Sequence, residues 1–247
     1  MDISKILKEW EYIPEEVNVR IIEGMDRSKK IQMRLDLGLL QMEFCGRPDG
    51  QRPHGFESLL EYYQKQLEDN IRQSGDDEGF CLDASDCSLL QNESLQYYYR
   101  YLSLYHLKKY EAVEKDTAHN LKVFDLIKEY AESEEDKFYL ERYRPYVIMM
   151  NTRAVADRML EKNQPDEAIE YIEDAIERID IFFNELHHSE MTNRCSEIVF
   201  LNNFAEEIRS NWSVNPISQL REKMRQAVEL EDYQAAASIR DEIKKLI

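Results

Sequence analysis

Apolar residues recur along this chain with two periods. Between residues 17 and 44 the period is close to two. Val17-Asn18-Val19-Arg20-Ile21-Ile22-Glu23 is β-branched and partly alternating, and Ile31-Gln32-Met33-Arg34-Leu35-Asp36-Leu37 alternates apolar with polar, as a half-buried strand does. Residues 24–30 between them are polar and turn-like. Residues 39–44 extend the second run, with Gly38 as a bend or bulge. These segments predict a small antiparallel meander of two or three strands. It is too small to be stable alone and is expected to pack on helices.

From residue 56 the apolar spacing changes to three and four. Leu59, Leu60, Tyr63 and Leu67 predict a helix over 56–72. Further helices are expected over about 89–108, 110–131, 135–162, 166–187, 194–212, 216–230 and 233–246. Residues 74–79 read as an acidic connection, and residues 80–88 as irregular or a short strand. Several starts have chemical reasons. Ser133 is placed as an N-cap before Glu134, Glu135 and Asp136, whose charges suit the helix dipole. Pro165 suits a first helical position, with Asp166 and Glu167 after it, and Asn215-Pro216 repeats that start.

Glycine and proline sharpen this picture. The 247 residues hold only 7 Gly and 6 Pro, and five of these lie within Gly46-Arg47-Pro48-Asp49-Gly50-Gln51-Arg52-Pro53-His54-Gly55. No Gly follows residue 79, which reads as packed helices rather than sheet. The expected fold class is α+β, mostly α. It comprises a small antiparallel β element over 1–46, a body of antiparallel helical hairpins over 47–214, and a terminal helical hairpin over 215–247.

Charge and composition then restrict function. A hydrophobic content of 43% supports a core and argues against global disorder. The net charge is −18 and unevenly spread: 11 bases and 14 acids over 1–72, 15 and 30 over 73–212, and 6 and 6 over 213–247. An acidic middle repels nucleic acid, whose phosphates need clustered Lys and Arg, so direct nucleic-acid binding is not expected. No apolar run approaches the roughly 18–20 residues of a membrane span. The amino terminus lacks a basic segment followed by an apolar one, so a cytoplasmic chain is expected. Cys45, Cys81, Cys87 and Cys195 form no C-x-x-C pair, so no metal or redox motif is expected.

The loop residues Arg47, Asp49, Arg52 and His54 are the best local candidates for chemistry. Two guanidiniums and an imidazole near glycine-freed backbone suit a phosphate or carboxylate. The structural alternative is a rigid turn whose arginines pair with the acidic body. Tyr98, Tyr101 and Tyr105 share a helix face with Tyr97 and Tyr99 beside it, and core packing explains them better than base stacking. His187-His188 near Cys195 invites a metal reading that nothing else supports. No Ser/His/Asp or Cys/His set has usable context, so no catalytic residue and no cofactor are expected.

Three stretches place an Ala just after a turn: residues 109–113, 165–169 and 232–236. The second, from Ala154 through Pro165-Asp166-Glu167-Ala168-Ile169 to Ala175-Ile176, resembles a tetratricopeptide-repeat (TPR) hairpin. The spacings between equivalent Ala residues are 56 and 67, so the chain is TPR-like and not a regular array.

The carboxyl end carries the most specific pattern. Leu220, Met224, Ala227, Tyr233, Ala236, Ala237, Ile239, Arg240, Asp241, Ile243 and Leu246 stand where the UVR motif has L-x-x-x-M/L-x-x-A, a turn, and F/Y-E-x-A-A-x-x-R-D-x-I-x-x-L. The segment therefore resembles the helical hairpin of the excision-repair proteins UvrB and UvrC, found also in Clp-associated proteins and bacterial kinase activators. Gln234 replaces the usual acid. Residues 35–43 with the Gly46–Gly55 loop also resemble the start of bacterial UVR-motif proteins. No G-x-x-x-x-G-K-[ST] occurs, so the UvrB nucleotide site is missing. The resemblance implies contact with another protein, such as a UVR-containing, Clp-type or repair-type partner, or with a second copy. The expected role is a non-enzymatic adaptor or regulator. The alternatives are an anion or small-molecule binder or enzyme centred on the Gly46–Gly55 loop, and an accessory factor of DNA repair.

Overall fold

The computed structural model describes residues 2–186 and 194–213, then 220, 223, 224, 227, 228, 230 and 232–246. His187-His188 and the Asn215-Pro216 start lie outside the described residues. The chain divides into two compact units, Met1–Arg158 and Met159–Ile247.

In the first unit a short helix, α1 (Ser4–Glu9), precedes three strands: β1 (Val19–Glu23), β2 (Lys29–Arg34) and β3 (Leu39–Glu43). They form an antiparallel sheet in the order β1-β2-β3, as the alternation predicts. The register pairs Val19 with Met33 and Met33 with Leu40, and Ile21 with Ile31 and Ile31 with Met42, so one face is apolar throughout. The second run stops earlier than its alternation suggests. Leu35 and Gly38 exchange backbone hydrogen bonds of 2.9 and 3.3 Å, so Gly38 closes a tight turn and Leu37 stands in solvent.

The central strand is buried on both faces, not one. Its polar residues find partners in the neighbouring strands and in the segments that flank them. Gln32 accepts from Arg20 Nε and Nη2 at 2.9 and 2.7 Å and donates to Gln41 at 2.9 Å. Arg34 donates to the Trp10 and Gly38 carbonyls, and Lys30 pairs with Asp26 and Glu43. Trp10 stacks over the Arg20 guanidinium, so the segment before β1 lies on this polar face.

Helices α2 (Leu59–Ser74), α3 (Ala84–His106) and α4 (Tyr110–Tyr130) supply most of one buried cluster of the core. Leu60, Leu82, Leu90, Val123, Phe124 and Ile127 pack in one buried cluster. The start of α3 lies ahead of its predicted position because Asp83 and Asp86 form a reciprocal capping box. Leu82, just before it, forms a parallel bridge with Ala131 at the end of α4.

The predicted 135–162 helix is two helices: α5 (Glu134–Tyr139), capped by Ser133 as expected, and α6 (Arg144–Glu161), with a 3-10 turn between them. Proline explains the break. Pro145 has no N–H to donate, and its ring would strike the carbonyl of residue 141 in a continuous helix. Buried Glu141 instead holds Arg144 at 2.6 Å.

The second unit contains α7 (Pro165–Glu185), α8 (Ser196–Ser213) and α9 (Tyr233–Leu246). Ala168, Ile172, Ala175, Ile179 and Phe182 form a buried stripe on α7 at helical spacing. On α8, Ile198, Leu201, Ala205 and Ile208 do the same. These two helices pack as a pair, with Arg209 bridging back to Glu173.

Candidate functional site

Two places carry the residues singled out by the sequence: the Gly46–Gly55 loop and the carboxyl-terminal hairpin. The loop leaves β3 and returns to α2 through three glycines with positive φ, Gly46, Gly50 and Gly55. Gly46 and Gly50 both have φ of +73°, a conformation that L side chains rarely adopt. Gly46 turns its carbonyl to Arg100 Nη1 at 2.6 Å, and Arg100 Nη1 also reaches the Glu43 carbonyl at 3.2 Å. The rest of that guanidinium forms a buried two-pronged pair with Asp116, at 2.8 and 2.7 Å. Arg100 therefore ties β3 and the loop to α3 and α4.

The four loop candidates do not converge on one point. Arg47 turns inward. Its Nε lies 2.9 Å from Glu93 Oε2, and its Nη1 lies 3.1 Å from Asp49. Asp49 also accepts from Gln51 N at 2.9 Å and from Gln96 Nε2 at 3.1 Å. Arg52 is exposed and pairs with Glu57. His54 stacks on Tyr62 at 4.1 Å, in a left-handed backbone conformation (φ 51°). Arg47 and Arg52 thus each have a carboxylate partner from this chain.

Glu93 is the hub that sequence reasoning missed. It is fully buried on α3. Its carboxylate accepts from the Leu59 and Leu60 amides at 2.8 and 3.1 Å, the free donors at the start of α2. His119 Nε2 lies 3.2 Å from it, and the His119 ring stacks on Tyr97 at 3.7 Å. Burial pushes the Glu93 carboxyl up. His119 and the two amides outweigh it, and the net result lies below the usual carboxylate value. An acid in an amphipathic helix gives no signal of such a role, because only its position behind α2 distinguishes it from exposed neighbours.

The tyrosine row divides. Tyr97 and Tyr101 are buried, while Tyr105 donates its hydroxyl to Asp157 at 2.6 Å. Burial pushes the Cys87 thiol up to about 12. Among the described residues, no three His, Cys, Asp or Glu side chains are grouped to hold a metal ion, and no helix is long and apolar enough to cross a membrane.

At the carboxyl end, Leu220, Met224 and Ala227 are helical, and α9 follows a turn at residue 230. Asp232 is the hinge. Its side chain accepts from Ala235 N at 3.0 Å, and its own N–H donates to the Ala227 carbonyl at 2.8 Å. Ala227, Ala236 and Ile243 are buried, and Leu220, Met224 and Ile239 are partly buried. Leu246 is the last residue of α9. Ala237, the motif position after Ala236, faces solvent. Its spacing explains this, since one residue beyond Ala236 turns about 100° around the helix. Arg240 and Asp241 pair with each other at 3.0 Å on the exposed side. Tyr233 is 68% exposed and Leu230 81%, leaving two large apolar groups uncovered beside the turn.

No curated protein and no solved structure matches the chain. Residues 215–246 match the family model described as the UvrB/uvrC motif, which covers the described hairpin from Leu220 to Leu246. The chain therefore carries a UVR motif at its carboxyl end.

Proposed function

We propose that the protein is a non-enzymatic adaptor or regulator that binds another protein through the carboxyl-terminal hairpin. The observation that carries this reading is a UVR motif whose turn leaves Leu230 and Tyr233 uncovered. UVR motifs usually mediate protein–protein contact. Large exposed apolar side chains are costly on an isolated surface and gain most from burial against a partner. The helical body, read as TPR-like, supplies a scaffold for the hairpin and a second contact surface. A bacterial, cytoplasmic setting agrees with the UVR resemblance and the free thiols. The partner class is a protein with a UVR motif of its own, a Clp-type or repair-type protein, or a second copy of this chain.

The test is affinity capture from bacterial lysate with three proteins side by side: the full chain, a Leu230→Ser/Tyr233→Ser variant, and a chain ending at residue 215. A partner retained by the full chain and lost from both variants supports the reading. Equal capture by all three makes the hairpin a structural element only.

A further inference from the structure

A cavity of about 700 Å³ lies in the Met1–Arg158 unit, among α3, α4, α5 and the first turn of α6. That volume falls within the range of small-molecule sites. Six of its lining residues are aromatic: Tyr98, Tyr101, Phe124, Tyr139, Tyr143 and Tyr146. None of the lining residues is charged. The break forced by Pro145 is what brings Tyr139, Tyr143 and Tyr146 to it from three successive elements.

Two polar side chains among the aromatics have unfinished hydrogen bonding. Asn120, 2% exposed, donates Nδ2 to the Ser94 carbonyl at 3.0 Å. That bond fixes the amide and leaves Oδ1 as a buried acceptor with no partner. Ser94, 4% exposed, likewise has no partner for its Oγ. A well-packed protein rarely leaves buried polar atoms unpaired. At the mouth, Tyr139 and Tyr143 are about half exposed, and Arg142 lies 4.7 and 4.8 Å from their ring centres.

We infer that this cavity binds an uncharged planar aromatic ring that carries an N–H donor. The tyrosine faces offer stacking to any flat ring. The spare Asn120 oxygen selects a ring with a donor, since a ring without one leaves the acceptor buried and unpaired. The lack of charged lining residues disfavours ions of either sign, which would lose hydration without gaining a counter-ion. Arg142 at the mouth adds to the bias against cations, and the acidic body adds to that against anions.

An indole series separates these requirements, because the ring is constant while donor and charge vary. Calorimetric titration of the full chain with indole, 1-methylindole, indole-3-acetate and tryptamine reads them directly. The expected result is that indole binds, with 1-methylindole and both charged relatives weaker by about tenfold or more. Two variants locate the site. Leu95→Trp, at a half-exposed lining position, fills the mouth without disturbing the core, and is expected to abolish indole binding while Tm stays unchanged. Asn120→Leu is expected to equalise indole and 1-methylindole. Equal affinity of the whole series, tighter binding of a charged member, no binding of indole at millimolar concentration, or undiminished binding in Leu95→Trp each overturns the inference.

Discussion

Glu93 decides much at the scale of single residues. Its carboxylate faces Arg47, whose side chain is 10% exposed, and two helix-terminal amides. Breaking a buried pair costs about 3–5 kcal/mol when the remaining charge is uncompensated, and less here because Arg47 keeps Asp49. Glu93→Gln is therefore expected to lower unfolding free energy in urea titrations by up to about 3 kcal/mol, and Arg47→Met in the same background to recover part of it. The pH dependence has a definite sign. Because the folded Glu93 value lies below the unfolded one, its contribution is present above the unfolded value of about 4.3 and is lost as pH falls through the folded value. Acid titration of stability should thus fall less steeply below about pH 4.3 in Glu93→Gln than in the parent. Sequence reading found Arg47 and its alternative as a turn paired to the acidic body, but could not find Glu93. A pair separated by 46 positions leaves no periodic trace.

Caps and breakers govern the elements. Ser133 and Pro165 start helices where their chemistry predicts, because capping is local and needs only adjacent backbone amides. The same locality makes Pro145 a stop that apolar periodicity alone passes over. Asp232 acts at the corresponding point of the hairpin. Asp232→Ala should cost the start of α9 about 0.5–2 kcal/mol, and Asp232→Asn much less. Amide hydrogen exchange over 233–240 reads the difference; equal protection in all three proteins would show that packing and not the cap holds the turn. Partner capture should weaken in Asp232→Ala to the extent that the hairpin frays.

For the whole molecule, the charge of −18 sets the terms of association. Its excess of acids over residues 73–212 opposes the counter-ion release on which nucleic-acid binding depends. Fluorescence anisotropy with a labelled duplex at about 150 mM salt should show no binding at micromolar protein. A salt-sensitive complex there would favour the repair-accessory alternative over the adaptor. The sequence by itself determined the helical character, an antiparallel meander of two or three strands and the UVR hairpin. Each rests on interactions between near neighbours: alternation along a strand, three-and-four spacing along a helix, and a turn with its cap. Only the tertiary structure decided that Arg47 serves Glu93, that the central strand is covered on both faces, and that six aromatic rings from four helices and a turn enclose one cavity. Those outcomes depend on which faces meet across long stretches of chain, and packing fixes them after local preference is spent.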